Sequence, residues 1–327
     1  MDLFSYGETN RHEKCAIIGC GRTGGAIACS LAQTGVFGEI VLLDVDFEKA
    51  EGEAADVAGG LSHRLQVDVY AGDYSDLCDC SLIVLCVGTH AEILETDAEA
   101  FRKKLRMIRS VGKKLHLCSS SAVLLVVSSP VDRLSYLVAA ESGFPKERVL
   151  GLGTLLDSMR LSNLLGMHLG VNPSEISAFI IGEHGENEFP VWSHANVKGI
   201  PLPCYYELCG RIYDRVFLDG LFFDVRDSAK KIMTSKGNAA FAIAQAVKRI
   251  ALSIAGDEKR ILPVSTYLAG MYGLENTYLS LPAVIGKGGV RQVLEIPLDH
   301  EEEERLRRSV KQSQRALEQI LSGDLHV

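Results

Sequence analysis

Three side chains with complementary chemistry stand out: His184 in Ile181-Gly182-Glu183-His184-Gly185, and Asp157 and Arg160 in Leu156-Asp157-Ser158-Met159-Arg160. An imidazole moves protons near neutral pH. A carboxylate can hold that imidazole in one tautomer, and a guanidinium can grip a carboxylate through two parallel hydrogen bonds. Asp157 and Arg160 are three residues apart, so on a helix they share one face. Together they point to proton transfer on a small organic acid. Each has a plainer explanation when taken alone. A histidine in a glycine-rich turn is usually structural, and an Asp–Arg pair at this spacing is usually a surface ion pair of little energetic weight. The N-terminal third of the chain decides between these explanations.

That third has the pattern of a dinucleotide-binding unit. Lys14-Cys15-Ala16-Ile17-Ile18-Gly19 is a short apolar run suited to a buried parallel strand, and Gly19-Cys20-Gly21-Arg22-Thr23-Gly24 follows at once. Ala26 to Ala32 reads as a helix. Glu39 to Leu43 reads as a second strand ending at Asp44, which lies twenty residues beyond Gly24. Gly19 permits the tight turn, Gly21 lets backbone approach a pyrophosphate, and Gly24 lets helix pack on strand. The helix N-terminus, where Arg22 and Thr23 lie, offers free N–H groups and a positive dipole end to phosphates. Asp44 is placed to accept hydrogen bonds from ribose hydroxyls and to repel a 2′-phosphate, so the expected cofactor is NAD rather than NADP.

The alternation continues. Ser81 to Val87 reads as a buried strand ending at Gly88, Ala122 to Ser128 as another ending at Ser129-Pro130, and Ala98 to Val111 as helix between them. Alternating strands and helices imply an α/β fold, a doubly wound parallel sheet of the Rossmann kind. Ligands of such sheets sit beyond the carboxyl ends of the strands. Asp44, Gly88 and Ser129 all fall there and are cofactor-binding candidates. The expected organisation is a dinucleotide-binding domain over residues 1–152 and a second, α+β substrate domain over 153–327.

Composition narrows the classes further. The chain has 327 residues, 47% of them hydrophobic, and a net charge of −8. With no basic stripe, nucleic acid is not an expected partner. No apolar run reaches the roughly 18–20 residues of a membrane helix, and Met1 to Glu13 lacks a signal-peptide core. Nine cysteines, several inside apolar strands and none in a Cys-x-x-Cys pair, fit a reducing cytoplasm without a disulfide framework. No metal-ligand set is expected. His63, His116 and His168 read as structural, Trp192 and His194 as packing residues, and His300 to Glu304 as the acidic start of a last helix. The apolar stripe of Ala239 to Ala255 reads as a pocket lining or a subunit contact.

With these segments the chain resembles the L-lactate and L-malate dehydrogenase superfamily over almost its whole length. The matching pieces are Gly19 to Gly24, Val126 to Asp132, Gly151 to Arg160 and Gly182 to Asn196, with Ser235 to Ala240 and Pro282 to Gly286 beyond them. The Gly182 to Asn196 segment is nearer the lactate branch. The resemblance implies an NAD-dependent L-2-hydroxy-acid dehydrogenase that assembles as a homodimer or homotetramer. It implies that His184 is the proton donor to a 2-oxo acid, that Asp157 orients His184, and that Arg160 forks the substrate carboxylate. Hydride then passes between the nicotinamide and substrate C2.

Departures from the family pattern cluster on the substrate side. In the loop Gly88 to Asp97, Asp97 matches the position of an arginine that polarises the substrate carbonyl, and Glu92 the position that selects lactate or malate. Ser129 replaces an asparagine that contacts substrate and nicotinamide, and Ala239 stands at a pocket-lining position. Three readings follow. The substrate is a 2-oxo acid other than pyruvate or oxaloacetate, with a cationic tail welcomed by Glu92 and Asp97. Alternatively, Arg102 or another of the basic residues Lys103, Lys104 and Arg106 supplies the missing charge. Or the protein binds NAD in a regulatory or structural role with impaired catalysis.

Overall fold

The computed structural model describes residues 13–61, 65–88, 97–116 and 121–322. Its first half is built of β1 (Lys14–Ile18), β2 (Glu39–Leu43), β3 (Asp68–Ala71), β4 (Leu82–Leu85), β5 (Val123–Val126) and β6 (Val149–Gly151), interleaved with α1 (Arg22–Ala32), α2 (Phe47–Gly59), α3 (Asp97–Leu115) and α4 (Val131–Ser142). The six strands are parallel in the order β3-β2-β1-β4-β5-β6. Every residue of β1, β4 and β5 is buried, as expected of strands covered by helices on both faces. Strand order reverses between β1 and β4, which opens a crevice beyond their carboxyl ends.

The second half comprises α5 (Leu155–Leu169), β7 (Ile176–Ser177), β8 (Ile180–Gly182), β9 (Glu188–Pro190), β10 (Asn196–Val197), β11 (Ile200–Pro201), α6 (Leu202–Leu208), α7 (Arg215–Lys236), α8 (Ala240–Ala255), β12 (Arg260–Ala269), β13 (Glu275–Gly286), β14 (Gly289–Val293) and α9 (His300–Ser322). Its long strands do not stand apart from the first sheet. β12 pairs antiparallel with β6 through Ser265 and Gly151, β13 with β12, and β8 with β13 through Ser280 and Gly182. The result is one eleven-stranded sheet, parallel at one end and antiparallel at the other. The helix expected over Ala239–Ala255 is present as α8, but its apolar stripe has a different role. Ala244, Val247, Ile250, Ala251 and Ile254 are buried in the same core as β1, β4 and β5, because α8 packs on α1. The described cysteines are free thiols, and among the described residues no helix is long and apolar enough to cross a membrane.

Candidate active site

The cofactor crevice is shaped mainly by backbone. Gly19 has φ +102°, and a Cβ there would lie 2.7 Å from the Cys86 carbonyl oxygen. A Cβ on Gly24 would collide with the Gly19 carbonyl, so the turn closes only with both side chains absent. Gly21 caps α1 in extended conformation, and among the described residues no side chain caps the helix's first N–H groups and nothing lies within 4 Å of where its Cβ would be. Free N–H groups at a helix start with room in front suit a pyrophosphate. Thr23 is half-buried in the first turn. Arg22 is exposed and reaches toward the turn after α7, where a Cβ on Gly237 would lie 3.6 Å from its Nη1. Asp44 does more than await a ribose. Its Oδ2 accepts from the Cys20 backbone N–H at 2.7 Å and lies 3.5 Å from Lys49 Nζ, and its Oδ1 accepts from the Asp46 N–H at 3.2 Å. Burial pushes its carboxyl up, but these N–H groups and Lys49 outweigh burial and hold it below the usual range. The remaining lone pairs of the ionised group fit a ribose diol.

Gly88 is exposed at the end of β4, and Ser129 is exposed beyond β5. Ser128 ties the two strand ends together, its Oγ donating to the Val87 carbonyl at 2.6 Å. Lys104 of α3 donates from Nζ to the Ser129 carbonyl at 2.8 Å.

The proton-transfer cluster is assembled from three elements. The start of α5 is stapled to β8 at a single residue: Thr154 Oγ1 donates to the Ile180 carbonyl, and the Ile180 N–H donates to Ser158 Oγ at 2.9 Å. This places Asp157, 2% exposed, against the turn after β8. Arg160 follows on the same helix face and donates from Nη1 to Asp157 Oδ1 at 3.0 Å. The turn itself is a tight hairpin. Gly182, at φ +100°, pairs with Glu188 across β8 and β9. Its backbone is pinned by two contacts, the Glu183 N–H to Ser309 Oγ at 2.8 Å and the His184 N–H to Asp132 Oδ2 at 2.8 Å, and the Glu183 side chain by an ion pair with Arg133 at 2.8 Å. Burial raises the Asp132 carboxyl to about 6, against the His184 N–H, which holds it down.

Two carboxylates converge on one ring nitrogen. His184 Nδ1 lies 3.0 Å from Asp157 Oδ2 and 3.1 Å from Glu188 Oε2. Both oxygens lie within hydrogen-bonding distance of that nitrogen. Burial drives the imidazole toward its neutral form, yet Asp157 and Glu188 outweigh that and hold the imidazolium well above the usual histidine range. Glu188, also gripped by the Gly185 N–H at 3.0 Å, is itself raised, chiefly by burial and also by the charge of Asp157.

His184, Asp157 and Arg160 therefore lie together as the sequence predicts, and the Gly19–Gly24 turn and Asp44 lie together at the carboxyl ends of β1 and β2. Ala239 is half-buried immediately before α8. Glu92 lies outside the described residues, as does His63, and of Asp97 only the backbone, as the first residue of α3, is described. Glu188 and Asp132 are site features that sequence reading missed, whereas Lys104 is one of the basic residues it named downstream of the loop. For Glu188 a signal exists: an acid among Phe189, Pro190 and Val191, four residues past His184, with glycines at 182 and 185 that permit a hairpin to bring it back. His168 and His116 are structural. His168 stacks on Tyr206 and Phe217, and His116 Nδ1 lies 3.2 Å from the Ser142 carbonyl. Trp192 is buried and donates to Asp219 at 2.8 Å.

The lactate/malate dehydrogenase NAD binding domain matches residues 13–151, and the alpha/beta C-terminal domain of the same enzymes matches residues 154–323. The L-lactate dehydrogenase of Thermoanaerobacter pseudethanolicus is 40% identical over 298 residues, 91% of this chain and 96% of that protein. That of Clostridium perfringens is 38% identical over 91% of this chain and 94% of its own length. The crystal structure of a minor L-lactate dehydrogenase from Enterococcus mundtii superposes with a TM-score of 0.90 at 32% identity, covering 95% of this chain and 99% of the other.

Proposed function

The chain belongs to the lactate/malate dehydrogenase family and is an NAD-dependent oxidoreductase acting on the CH–OH group of a 2-hydroxy acid, and on that premise we propose that its preferred substrate is neither pyruvate nor oxaloacetate. Gly21 to Gly24 would hold the pyrophosphate at the start of α1, and Asp44 would hold the adenosine ribose. The bound nicotinamide supplies or accepts the hydride at substrate C2. Arg160 keeps N–H donors beyond the one given to Asp157, and these grip the substrate carboxylate. His184, with its Nδ1 proton committed to the carboxylates, presents Nε2 to the C2 oxygen. It donates a proton as the 2-oxo acid is reduced and takes one back in the reverse direction.

The acidic start of α3 carries the substrate assignment. Asp97 opens that helix where the family resemblance implies an arginine. An ionised carboxylate opposes the negative charge that grows on the substrate oxygen, and loss of one such donor typically costs about 3–4 kcal/mol of transition-state stabilisation. With Glu92 five residues before Asp97 in the sequence, a 2-oxo acid bearing a cationic tail is favoured over a dicarboxylate.

Lys104 favours a second reading, in which another cation does the arginine's work. It stands seven residues after Asp97, two turns along one face of α3. Burial holds its ammonium below the usual lysine range, no carboxylate pairs with it among the described residues, and its bond to Ser129 leaves N–H donors to spare. Kinetics with NADH and neutral, acidic and cationic 2-oxo acids decides. The first reading expects turnover of the cationic acid, poor turnover of pyruvate, and improved pyruvate reduction in Asp97→Arg. If the wild type reduces pyruvate with kcat/KM above about 10⁵ M⁻¹s⁻¹ and Lys104→Met abolishes this, the second reading holds. No turnover of any member with NADH still bound would support the regulatory alternative.

A further inference from the structure

We propose that Asp132 is a positioning residue of the reaction: its buried carboxylate is the joint that holds His184, carried by the second half of the chain, in register with the cofactor crevice of the first. The proposal rests on the assignment of His184 as the proton carrier. It accounts for how hydride and proton meet at one carbonyl although their carriers belong to different halves.

The joint stands over one row of small residues. Gly151 on β6, Ser265 on β12, Ser280 on β13 and Gly182 on β8 are successive register partners across the sheet. Along that row the last parallel strand of the cofactor half is linked to the strand that leads into the His184 turn. Gly151 gives α4 its seat, since a Cβ there would lie 2.6 Å from both Val131 Cγ2 and Ser135 Oγ. Asp132, the second residue of α4, is 2% exposed. Its Oδ1 accepts from Ser280 Oγ at 3.2 Å and its Oδ2 from the His184 N–H at 2.8 Å. α4 follows directly on β5 and Ser129, so one side chain ties the rim of the crevice to the backbone of the proton carrier.

Among the described residues no lysine or arginine forms an ion pair with Asp132. The charged groups around it are Arg133 on α4, paired with Glu183 of the β8–β9 turn, Asp157 and Arg160 on α5, Glu188 on β9, and His184 itself. β12 and β13 face it with the hydroxyls of Ser265 and Ser280. Burial outweighs the Ser265 hydroxyl and the His184 N–H and lifts the carboxyl to about 6. A neutral amide could make the same bonds, because serine hydroxyls accept as well as donate. The carboxylate holds the His184 N–H more strongly. A carboxyl raised above its unfolded value contributes stability in acid and loses it as pH rises through about 6. The fold thus gives up stability at neutral pH for a firmer hold on the His184 turn.

The test is Asp132→Asn, with Ser280→Ala beside it. Asp132→Asn should fold with a Tm at mildly alkaline pH no lower than that of the wild type, and bind NADH equally well. KM for the acid should hold, because Arg160 is fixed through α5, while kcat for reduction falls about 10- to 100-fold, as a small misplacement of a reacting group does. Reduction by the wild type should also fail in acid with a midpoint near 6, although His184 stays protonated there. Asp132→Asn should lack that limb. Ser280→Ala removes a donor to the ionised form and should move the limb to higher pH. The same midpoint is readable without turnover, in the NMR titration of histidine-labelled protein, from the backbone amide signal that disappears in His184→Ala. A titrating amide with no turnover of any 2-oxo acid strikes the functional reading and keeps this proposal. Wild-type kcat in Asp132→Asn, or a limb and an amide titration that neither variant moves, makes Asp132 a packing residue and overturns it. If Asp132→Asn does not fold, Ser280→Ala decides alone, and a limb that stays in place overturns the proposal.

Discussion

The two ends of the catalytic crevice are built by opposite means. At the cofactor end, the missing side chains of Gly19, Gly21 and Gly24 and the N–H groups of α1 make the site, so specificity lies in what is absent. At the proton-transfer end, charged side chains from α5, the β8–β9 turn and β9 are buried against each other, and specificity lies in what is present. The first kind of site should tolerate loss of side-chain atoms and fail when atoms are added. The second should fail on removal.

The largest separation between the two ends should come from His184→Ala. General acid catalysis of this kind contributes about 10²–10⁴-fold, so single-turnover reduction should slow by that factor while NADH affinity measured by fluorescence stays within about twofold. A comparable loss of NADH binding would mean that the two ends are not independent. Gly24→Ala tests the other side. Its new methyl meets the Gly19 carbonyl, and overpacking typically destabilises by about 1–3 kcal/mol. A lowered Tm together with weakened NADH binding is expected. Gly88→Ala, whose Cβ meets nothing within 4 Å among the described residues, should leave Tm unchanged.

Arg160→Lys comes next in size. A point charge replaces the fork, and a hydrogen bond to a charged group is worth about 1.5–3 kcal/mol, so kcat/KM should fall roughly 10- to 100-fold, mostly through KM. Measuring KM for substrates with and without a C1 carboxylate isolates the effect. A mutant with unchanged KM for the acid would remove Arg160 from the carboxylate clamp.

The contrast also explains what the sequence reveals. The cofactor end is local: strand, glycines, helix, strand and Asp44 fall within 31 residues, Lys14 to Asp44, and each has a fixed offset. β2 was readable to the residue, and β1, β4, β5, α1 and α3 to within a few at each end. The proton-transfer end is non-local. Asp157 and His184 are 27 apart in sequence and meet only because Thr154 and Ser158 staple α5 to Ile180. His184, Asp157 and Arg160 were legible through side-chain chemistry and the family resemblance. Glu188 was not, because its role depends on the β8–β9 pairing register, which no spacing rule specifies. Nor does periodicity reveal that α8, an apolar stripe far along the chain, completes the core beneath α1.

The smallest expected effect sharpens the account of Asp44, an acid in the backbone-built end. Asp44→Ala would confuse two roles, since Oδ2 also accepts the Cys20 N–H within the glycine turn. Asp44→Asn keeps an acceptor oxygen for that N–H and removes only the charge. Lys49, now 3.5 Å from Oδ2, would lose its partner and become available to a 2′-phosphate. NAD should then bind slightly less well, because ribose hydroxyls donate more weakly to an amide than to a carboxylate. NADP should bind better, because repulsion is replaced by attraction. Both groups are partly solvated and screened, so each change amounts to about 0.5–1 kcal/mol, and the NAD-to-NADP affinity ratio should narrow about 5- to 30-fold. Calorimetric titration of both cofactors against wild type and Asp44→Asn measures it directly. A ratio that does not move would show that Asp44 serves the Cys20 turn alone, and that the cofactor end selects its ligand entirely through backbone.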